Sequence, residues 1–349
     1  MKTEIVLNLI KIFTLGLGSF LIALLFFPLL IKFLAKINLR KSISRESSPI
    51  FYSLHKKKEG TLTMGGIIIW LMPLVILLLI GIISFVDPSF AHWLNFLSRR
   101  ETYLPLAFLI LGGLVGLVDD LLGVLKLSNS RGLKIKEKLI VYFAFSLLVA
   151  WWFIVKLGIK FIYLPLGGRI YLNSFLMVAF LVFYVIAVSF SANETDGLDG
   201  LLAGVSLSII LSLLIFSLLN GNYNLALLSA IVLGSILCFL WFNIYPAKIF
   251  MGDTGSMAIG SYIAVVSLLE GVYFLLPFVA IIFVLESGSV IIQLISKKFF
   301  KKKIFLSTPI HHHYEALGNH EANIVFKFWV LNAIGAVIGI IIFILDKFS

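Results

Sequence analysis

The sequence predicts an all-α polytopic membrane protein of about ten transmembrane helices, organised as a single integral-membrane domain over residues 1–349. Three observations carry that prediction. The chain is 60% hydrophobic and 13% charged, with a mean hydropathy of +1.09, far from the composition of a soluble globule. Apolar runs of about 20 residues, the length that crosses a bilayer, recur from end to end. The cations gather between alternate runs, as the positive-inside rule requires.

The first run, Ile5 to Phe33, is too long for a signal-peptide core and lacks a small-residue cleavage site, so it reads as a retained helix. A basic loop with Lys36, Arg40, Lys41, Arg45, Lys56, Lys57 and Lys58 precedes a second expected helix, about Leu62 to Val86. The next loop holds Asp87, Pro88, Arg99 and Arg100. A third helix, expected at about Tyr103 to Leu125, carries Asp119 and Asp120 near its far end. Lys126, Arg131, Lys134, Lys136 and Lys138 then make a second basic loop before a fourth helix, expected near Leu139 to Gly158. Between Ile159 and Asn173, Pro165, Gly167 and Gly168 separate short β-prone runs, the pattern of a small hairpin. Further helices are expected near Ser174 to Ala192, Leu201 to Leu219, Leu225 to Ile244, Met257 to Glu270 and Phe274 to Ser296. A polar segment from Lys297 to Lys327 precedes the last, near Phe328 to Leu345.

Ten crossings place both termini on one side. The loops at 36–60, 126–138, 193–200, 245–256 and 297–327, with Lys32, then carry 20 of the 28 Lys and Arg, which makes their side the cytoplasm. The termini are therefore expected outside and the hairpin in the periplasm. The net charge of +11 reflects this topology, with no nucleic-acid partner implied. One cysteine, Cys238, excludes an intrachain disulfide. Five of the seven aspartates, Asp119, Asp120, Asp196, Asp199 and Asp253, fall at cytoplasmic helix ends or loops.

Carboxylates near a membrane are costly and usually functional. Asp119 and Asp120 are neighbours on a helix, about 100° apart, so one can meet a metal while the other meets substrate. Balancing of interfacial acids by Lys126 is the plainer alternative. Asp196 and Asp199, in Ser-Ala-Asn-Glu-Thr-Asp-Gly-Leu-Asp-Gly, share a face if their segment is helical. Gly197 and Gly200 would let a phosphate approach the backbone, although the string alone would also serve as a capping turn. Asp253, in Met-Gly-Asp-Thr-Gly-Ser, stands before a helix N-terminus that offers donors to an anion, or caps it. His311, His312 and His313 are consecutive, which suits phosphate contact better than joint ligation of zinc. Gly112 and Gly116 form a small-xxx-small pair suited to helix packing. Glu286, inside an apolar run, requires an internal partner that the sequence does not name.

Taken together, Thr61 to Gly66, Asp119-Asp120, Asn193 to Gly200, Phe242-Asn243, Phe250 to Ser256 and Pro309 to Glu315 resemble the phospho-N-acetylmuramoyl-pentapeptide transferases of peptidoglycan synthesis. These are a branch of the polyprenyl-phosphate N-acetylhexosamine-1-phosphate transferases. The Pro-Ile-His-His-His-Tyr-Glu string points to this branch. The resemblance implies transfer of phospho-N-acetylmuramoyl-pentapeptide from its UDP carrier to undecaprenyl phosphate, giving lipid I and UMP. It also implies Mg2+, ten helices, a cytoplasmic-face site in the bacterial plasma membrane, and a homodimer among membrane lipids.

Carried over by motif, the resemblance makes Asp253 the metal ligand and Asp119 a base or phosphate-orienting acid, with Asp120 beside it. It assigns Lys58, Gly197, Leu198, Asp199, Asn243 and Phe250 to a uridine pocket, and Thr63, Asn193 and Asp196 to the ribose-phosphate region. It sets the His311–His313 loop, through His311 and His312, beside the pyrophosphate or sugar. The chain departs from the family pattern at Leu62, Gly123, Phe190 and Leu306, and at Gly123 the family carries a lysine. Two other readings compete: a sibling that moves a GlcNAc-type sugar phosphate from UDP to a polyprenyl phosphate, and a carboxylate-based transporter, whose acids would sit at the bilayer midplane.

Overall fold

A computed structural model describes residues 2–40, 56–125 and 132–348. The expected loop cations Lys41, Arg45, Lys126 and Arg131 lie outside them. Among the described residues seven helices are long and apolar enough to cross a membrane, so the chain is a multi-pass, all-α membrane protein. In chain order the elements are α1 (Lys2–Lys36), α2 (Ile67–Ile83), α3 (Pro88–Leu94), α4 (Tyr103–Val124), α5 (Ile135–Trp151), β1 (Phe161–Leu164), β2 (Gly168–Tyr171), α6 (Ser174–Thr195), α7 (Leu201–Asn220) and α8 (Tyr223–Asn243). These are followed by α9 (Asp253–Leu269), α10 (Leu276–Val279), α11 (Ile281–Ile295), α12 (Ile310–Ala316) and α13 (Glu321–Phe348). β1 and β2 pair antiparallel, with Phe161 opposite Tyr171.

The bundle is organised around α9, which is buried from Thr254 to Leu268. It is apolar or small all round, the pattern of a helix with neighbours on every side. Small residues set the distances. A methyl group at Gly112 would lie 2.6 Å from the Met257 carbonyl, and one at Gly116 would lie 2.6 Å from the Thr254 Cα. The glycine pair on α4 therefore lets that helix lie directly on the start of α9, as close helix packing in a bilayer requires. On the other flank, a methyl group at Gly260 would lie 2.9 Å from the Ser189 Cα of α6.

Four expected boundaries are corrected. The second helix starts at Ile67, not Leu62, because the preceding backbone pairs with another loop. Leu62 bridges to Arg40 and Ile249, and the Gly65 and Gly66 amides donate to the Phe250 and Met251 carbonyls at 2.9 and 3.0 Å. The fourth helix starts at Ile135, not Leu139, which places Lys136 and Lys138 on the helix instead of in a loop. The eighth starts at Asp253, not Met257.

The ninth run is two helices. The break falls at Ala280, and Asn332 of α13 satisfies the interrupted backbone by accepting from Ile282 N (3.2 Å) and donating to Val279 O (3.0 Å). Freed backbone groups at membrane depth persist only with such partners. The polar segment after it contains α12, and the last helix begins at Glu321, not Phe328. A short helix after Asp87 also went unforeseen. The Asp87 carboxylate caps α3 by accepting from Phe90 N at 2.9 Å.

Candidate active site

The C-terminal end of α4, the N-terminal ends of α5 and α9 and the C-terminal end of α6 meet at one amine. Lys138 Nζ lies 2.8 Å from Asp119 Oδ2 and 2.9 Å from Asp253 Oδ2. Asn193 Nδ2 donates to the other oxygen of Asp253 at 2.5 Å and to Ser256 Oγ at 2.9 Å. The second oxygen of Asp119 accepts from the Leu133 amide. Asp119 is buried, with 2% of its side chain exposed, whereas 27% of Asp253 is open. The centre is more open on the Asp253 side.

Asp120 does something different from its neighbour. Its two oxygens accept from the Asp253 and Thr254 amides at 3.1 and 3.0 Å. The anion at the N-terminus of α9 is thus a side chain from α4, and no residue of the Gly-Asp-Thr string caps its own helix. The first amides of a helix lack internal partners, so a carboxylate there binds strongly. Gly252 has φ +76°, and a Cβ there would press on Asp120 Oδ2 at 2.5 Å. Glycine meets both demands. Thr254 Oγ1 donates to Gly113 O (2.8 Å) and accepts from Trp70 Nε1 (3.1 Å), fixing the same turn.

Lys138 is the residue that sequence reasoning passed over, counting it only among loop cations. A signal was present. A cation in the first turn of a helix opposes the helix dipole, so acids must hold it there. Its amine also supplies a cation beside Asp119 in a chain that has Gly123 where the family pattern has lysine. Replacing Lys138 with Met is expected to cost about 3 kcal/mol of stability, the low end for breaking a buried ion pair, because two carboxylates would then share the site with no cation. The readout is the melting temperature in detergent. An unchanged melt would show that the amine is dispensable to the fold.

A second cluster joins the Lys58 loop to the 196–200 loop and the start of α13. Lys58 Nζ donates to Asp199 Oδ1 at 2.8 Å and to Glu321 Oε1 at 2.5 Å. The same Glu321 oxygen accepts from the Asp199 amide at 2.7 Å, and Asp199 Oδ2 accepts from Ala247 N at 3.0 Å. Burial pulls the Lys58 amine down, but the Asp199 and Glu321 carboxylates outweigh it and hold the amine above the usual lysine range. Asn243 ties the surrounding loops, accepting from Gly200 N (2.9 Å) and donating to Ile249 O (2.8 Å). The Phe250 ring lies 5.9 Å from Lys58 Nζ. Leu198 is buried under the loop, and Thr63 is buried with its amide on Leu39 O at 3.2 Å.

Asp196 and Asp199 do not share a helix face, contrary to the i, i+3 expectation. α6 ends at Thr195, with Asp196 as its C-cap, and Gly200 turns the chain at φ +79° before α7. Glu321 was missed altogether. Its trace in the sequence is an acid ahead of the final apolar run.

The three histidines point three ways. His311 Nδ1 lies 2.9 Å from Glu286 Oε2, and His312 Nδ1 lies 2.7 Å from Glu315 Oε2. His313 Nδ1 accepts from the Leu306 amide at 3.2 Å and so braces the preceding loop. His311 is wholly buried beneath the 196–200 loop, where a methyl group on Gly197 would lie 2.6 Å from its Cε1. Burial pulls the His311 imidazole down, but the Glu286 carboxylate, helped by Glu315 and Glu194, holds it above the ordinary histidine range.

Among the described residues no three His, Cys, Asp or Glu side chains form a metal cage. The donors at Lys138 still fit one class of ion. Two carboxylates converge on a single point, and a hard cation such as Mg2+ takes one or two carboxylates and completes its shell with water and phosphate oxygens.

Comparison with known proteins bears on this geometry. The family model for glycosyl transferase family 4 matches residues 103–271, the stretch from α4 through α9 that holds Asp119, Lys138, Asn193 and Asp253. The phospho-N-acetylmuramoyl-pentapeptide-transferase of Thermoanaerobacter sp. (strain X514) is 38% identical over 320 residues, spanning 90% of this chain and 93% of that protein. The protein of the same name from Geobacillus sp. (strain WCH70) is 38% identical over 326 residues, 93% of this chain and 95% of its own. The one from Staphylococcus carnosus (strain TM300) is 36% identical over 336 residues, 94% and 98% respectively.

Proposed function

The chain belongs to the phospho-N-acetylmuramoyl-pentapeptide-transferase family, and from that premise we propose the reaction its site performs. An oxygen of undecaprenyl phosphate attacks the β-phosphorus of UDP-N-acetylmuramoyl-pentapeptide. The bond from that phosphorus to the bridging oxygen breaks, UMP leaves, and lipid I is formed. The observation that carries this reading is the meeting of Asp119 and Asp253 at Lys138, with a second charged pair, Lys58 and Asp199, near the Phe250 ring. Phosphoryl transfer needs charge neutralisation and in-line positioning more than covalent machinery, and a lysine between two carboxylates supplies both signs of charge.

Asp253, with Asp119 opposite, is the pair that would hold Mg2+, which when bound supplies charge neutralisation on the phosphates. Lys138 keeps the two acids apart and offers a donor to the transferring group. Asp119 orients the acceptor phosphate or takes its proton. Asp120 holds the start of α9 in place. Lys58, Gly197, Leu198, Asp199, Asn243 and Phe250 shape the uridine side, with Thr63, Asn193 and Asp196 toward the ribose phosphate. His311 and His312 face the pyrophosphate or sugar. The reading includes ten crossings of one integral domain, termini and hairpin outside, the site at the cytoplasmic face, and a homodimer. Such a site lets a lipid phosphate meet a soluble nucleotide.

The test is UMP release in detergent, comparing UDP-N-acetylmuramoyl-pentapeptide with UDP-GlcNAc, with and without Mg2+. Release is expected from the first donor and only with the ion. Release from UDP-GlcNAc alone would assign the chain to the sibling activity, and release without the ion would remove Mg2+ from the site.

A further inference from the structure

Glu286 is a buried acid that the reaction as described does not use. It sits on α11 with no exposed surface, and none of the chain's lysines or arginines reaches it at ion-pair distance among the described residues. A carboxylate in such a place is expensive unless paired. Its partner is His311, itself fully buried: Nδ1 at 2.9 Å, with the His311 amide 3.4 Å from the same oxygen. One α11 carboxylate therefore holds both the ring and the backbone at the start of α12.

The far side of the ring is what makes this pair informative. His311 Nε2 is buried and has no hydrogen-bond partner among the described residues, and it faces Gly197. Any side chain at position 197 would collide with the ring, so the glycine leaves the nitrogen facing the 196–200 loop, which carries Asp199 and its Lys58 partner. A buried polar nitrogen without a partner calls for an explanation, and this one is aimed at the loop that carries Asp199.

We propose that Glu286 is a positioning residue: it fixes His311 through Nδ1–H so that Nε2–H is presented past Gly197 as a donor to a phosphate oxygen of the nucleotide substrate. This rests on the reading of the site as a nucleotide-diphosphate transferase and adds the residue that sets one donor's orientation and charge. The logic is tautomeric. With Nδ1–H given to the carboxylate, a neutral ring leaves Nε2 as an acceptor, which repels a phosphate oxygen. The imidazolium makes both nitrogens donors. Glu286 stabilises that form. The other groups facing the ring are Glu194 from α6 and Glu315 and His312 from α12, and Lys138 in turn faces Glu194. Glu315 is already engaged by His312, which leaves Glu286 as the acid in direct contact.

The sign of the pH effect follows. His311 is held above its ordinary value, so the charged form is full at low pH and is lost as pH rises through that raised value. Glu286→Gln keeps an acceptor of the same size but removes the charge. The alkaline limb of kcat/KM for UMP release should move to lower pH, so the variant loses on the order of tenfold more activity, relative to the unaltered protein, at pH 8 than at pH 6. His311→Asn should remove that limb, and Glu286→Gln added to it should cost nothing further, because the two act as one unit. Superimposable pH profiles for Glu286→Gln and the unaltered protein overturn the proposal, as does full additivity in the double variant. Should Glu286→Gln fail to fold, NMR titration of ring-labelled histidine in the full unaltered chain reads the same quantity. The His311 signal, assigned by its loss in His311→Asn, should titrate above free histidine, and titration at or below it overturns the proposal. No UMP release by the unaltered protein sinks the transferase reading instead, a result distinct from a normal rate with an unshifted profile.

Discussion

Asp253→Asn is expected to abolish UMP release, by on the order of 10³-fold or more, while leaving the protein folded. The size is that of removing one preorganised charge from a phosphoryl-transfer site. Folding should survive for reasons visible at the residue. The Asp253 amide, not its side chain, is what Asp120 holds, and an asparagine oxygen can still accept from Asn193. What disappears is the negative charge facing Lys138 and the substrate. Initial rates of UMP release, with a melting curve beside them, check both halves. Full activity in the variant would remove the Asp253 carboxylate from any essential role.

Gly116→Ala should be nearly as damaging with no chemical group lost. The added methyl would sit 2.6 Å from the Thr254 Cα and closer still to the Asp253 carbonyl, both backbone atoms that no rotamer change can move. Either α9 shifts away from α4 or the methyl stays in collision. Overpacking of this kind costs about 1–3 kcal/mol. The shift would also pull the Asp253 and Thr254 amides off Asp120 and carry Asp253 away from Lys138. A misplacement of about 1 Å at a reacting centre can cost 10²-fold in rate. The expected result is a lower melting temperature together with a turnover loss of that order. Gly81→Ala, where a methyl would meet nothing within 4 Å, is the control and should change neither. A Gly116→Ala variant with unchanged turnover would mean that the α4–α9 contact does not set the site.

Much of this molecule could be read before folding it. Long apolar runs marked the helices because a bilayer sets a length that few other constraints impose. The aspartates stood out because a chain so poor in charge keeps acids only where they are used. The motif order placed the family, and the comparisons agree with it. Less legible were the places where one segment ends because another arrives. Leu62 to Gly66 looks like the beginning of a helix and is instead a bridge residue followed by a turn, held by the backbone of Phe250 and Met251. The ninth run looks continuous, yet it breaks at Ala280, where Asn332 supplies partners from fifty residues away.

The sequence by itself determined the class of the protein and the residues from which a site could be built: two aspartates on one helix end, two in a glycine turn, one before another helix, three histidines in a row. These are local facts, set by composition, spacing and the cost of charge near lipid. The tertiary structure alone decided what each one does. It separated Asp119 from Asp120, sending one to an amine and the other to a helix terminus. It parted Asp196 from Asp199, brought Lys138 from an apparent loop into the centre, and gave Glu286 its histidine. Those assignments depend on contacts between segments 19 to 263 residues apart. No local pattern encodes them, because a carboxylate's partner is chosen by which helices pack together, and here glycines on α4 and α9 bring α4, α9 and α6 together, while Gly197 lets the loop after α6 press on the ring of His311.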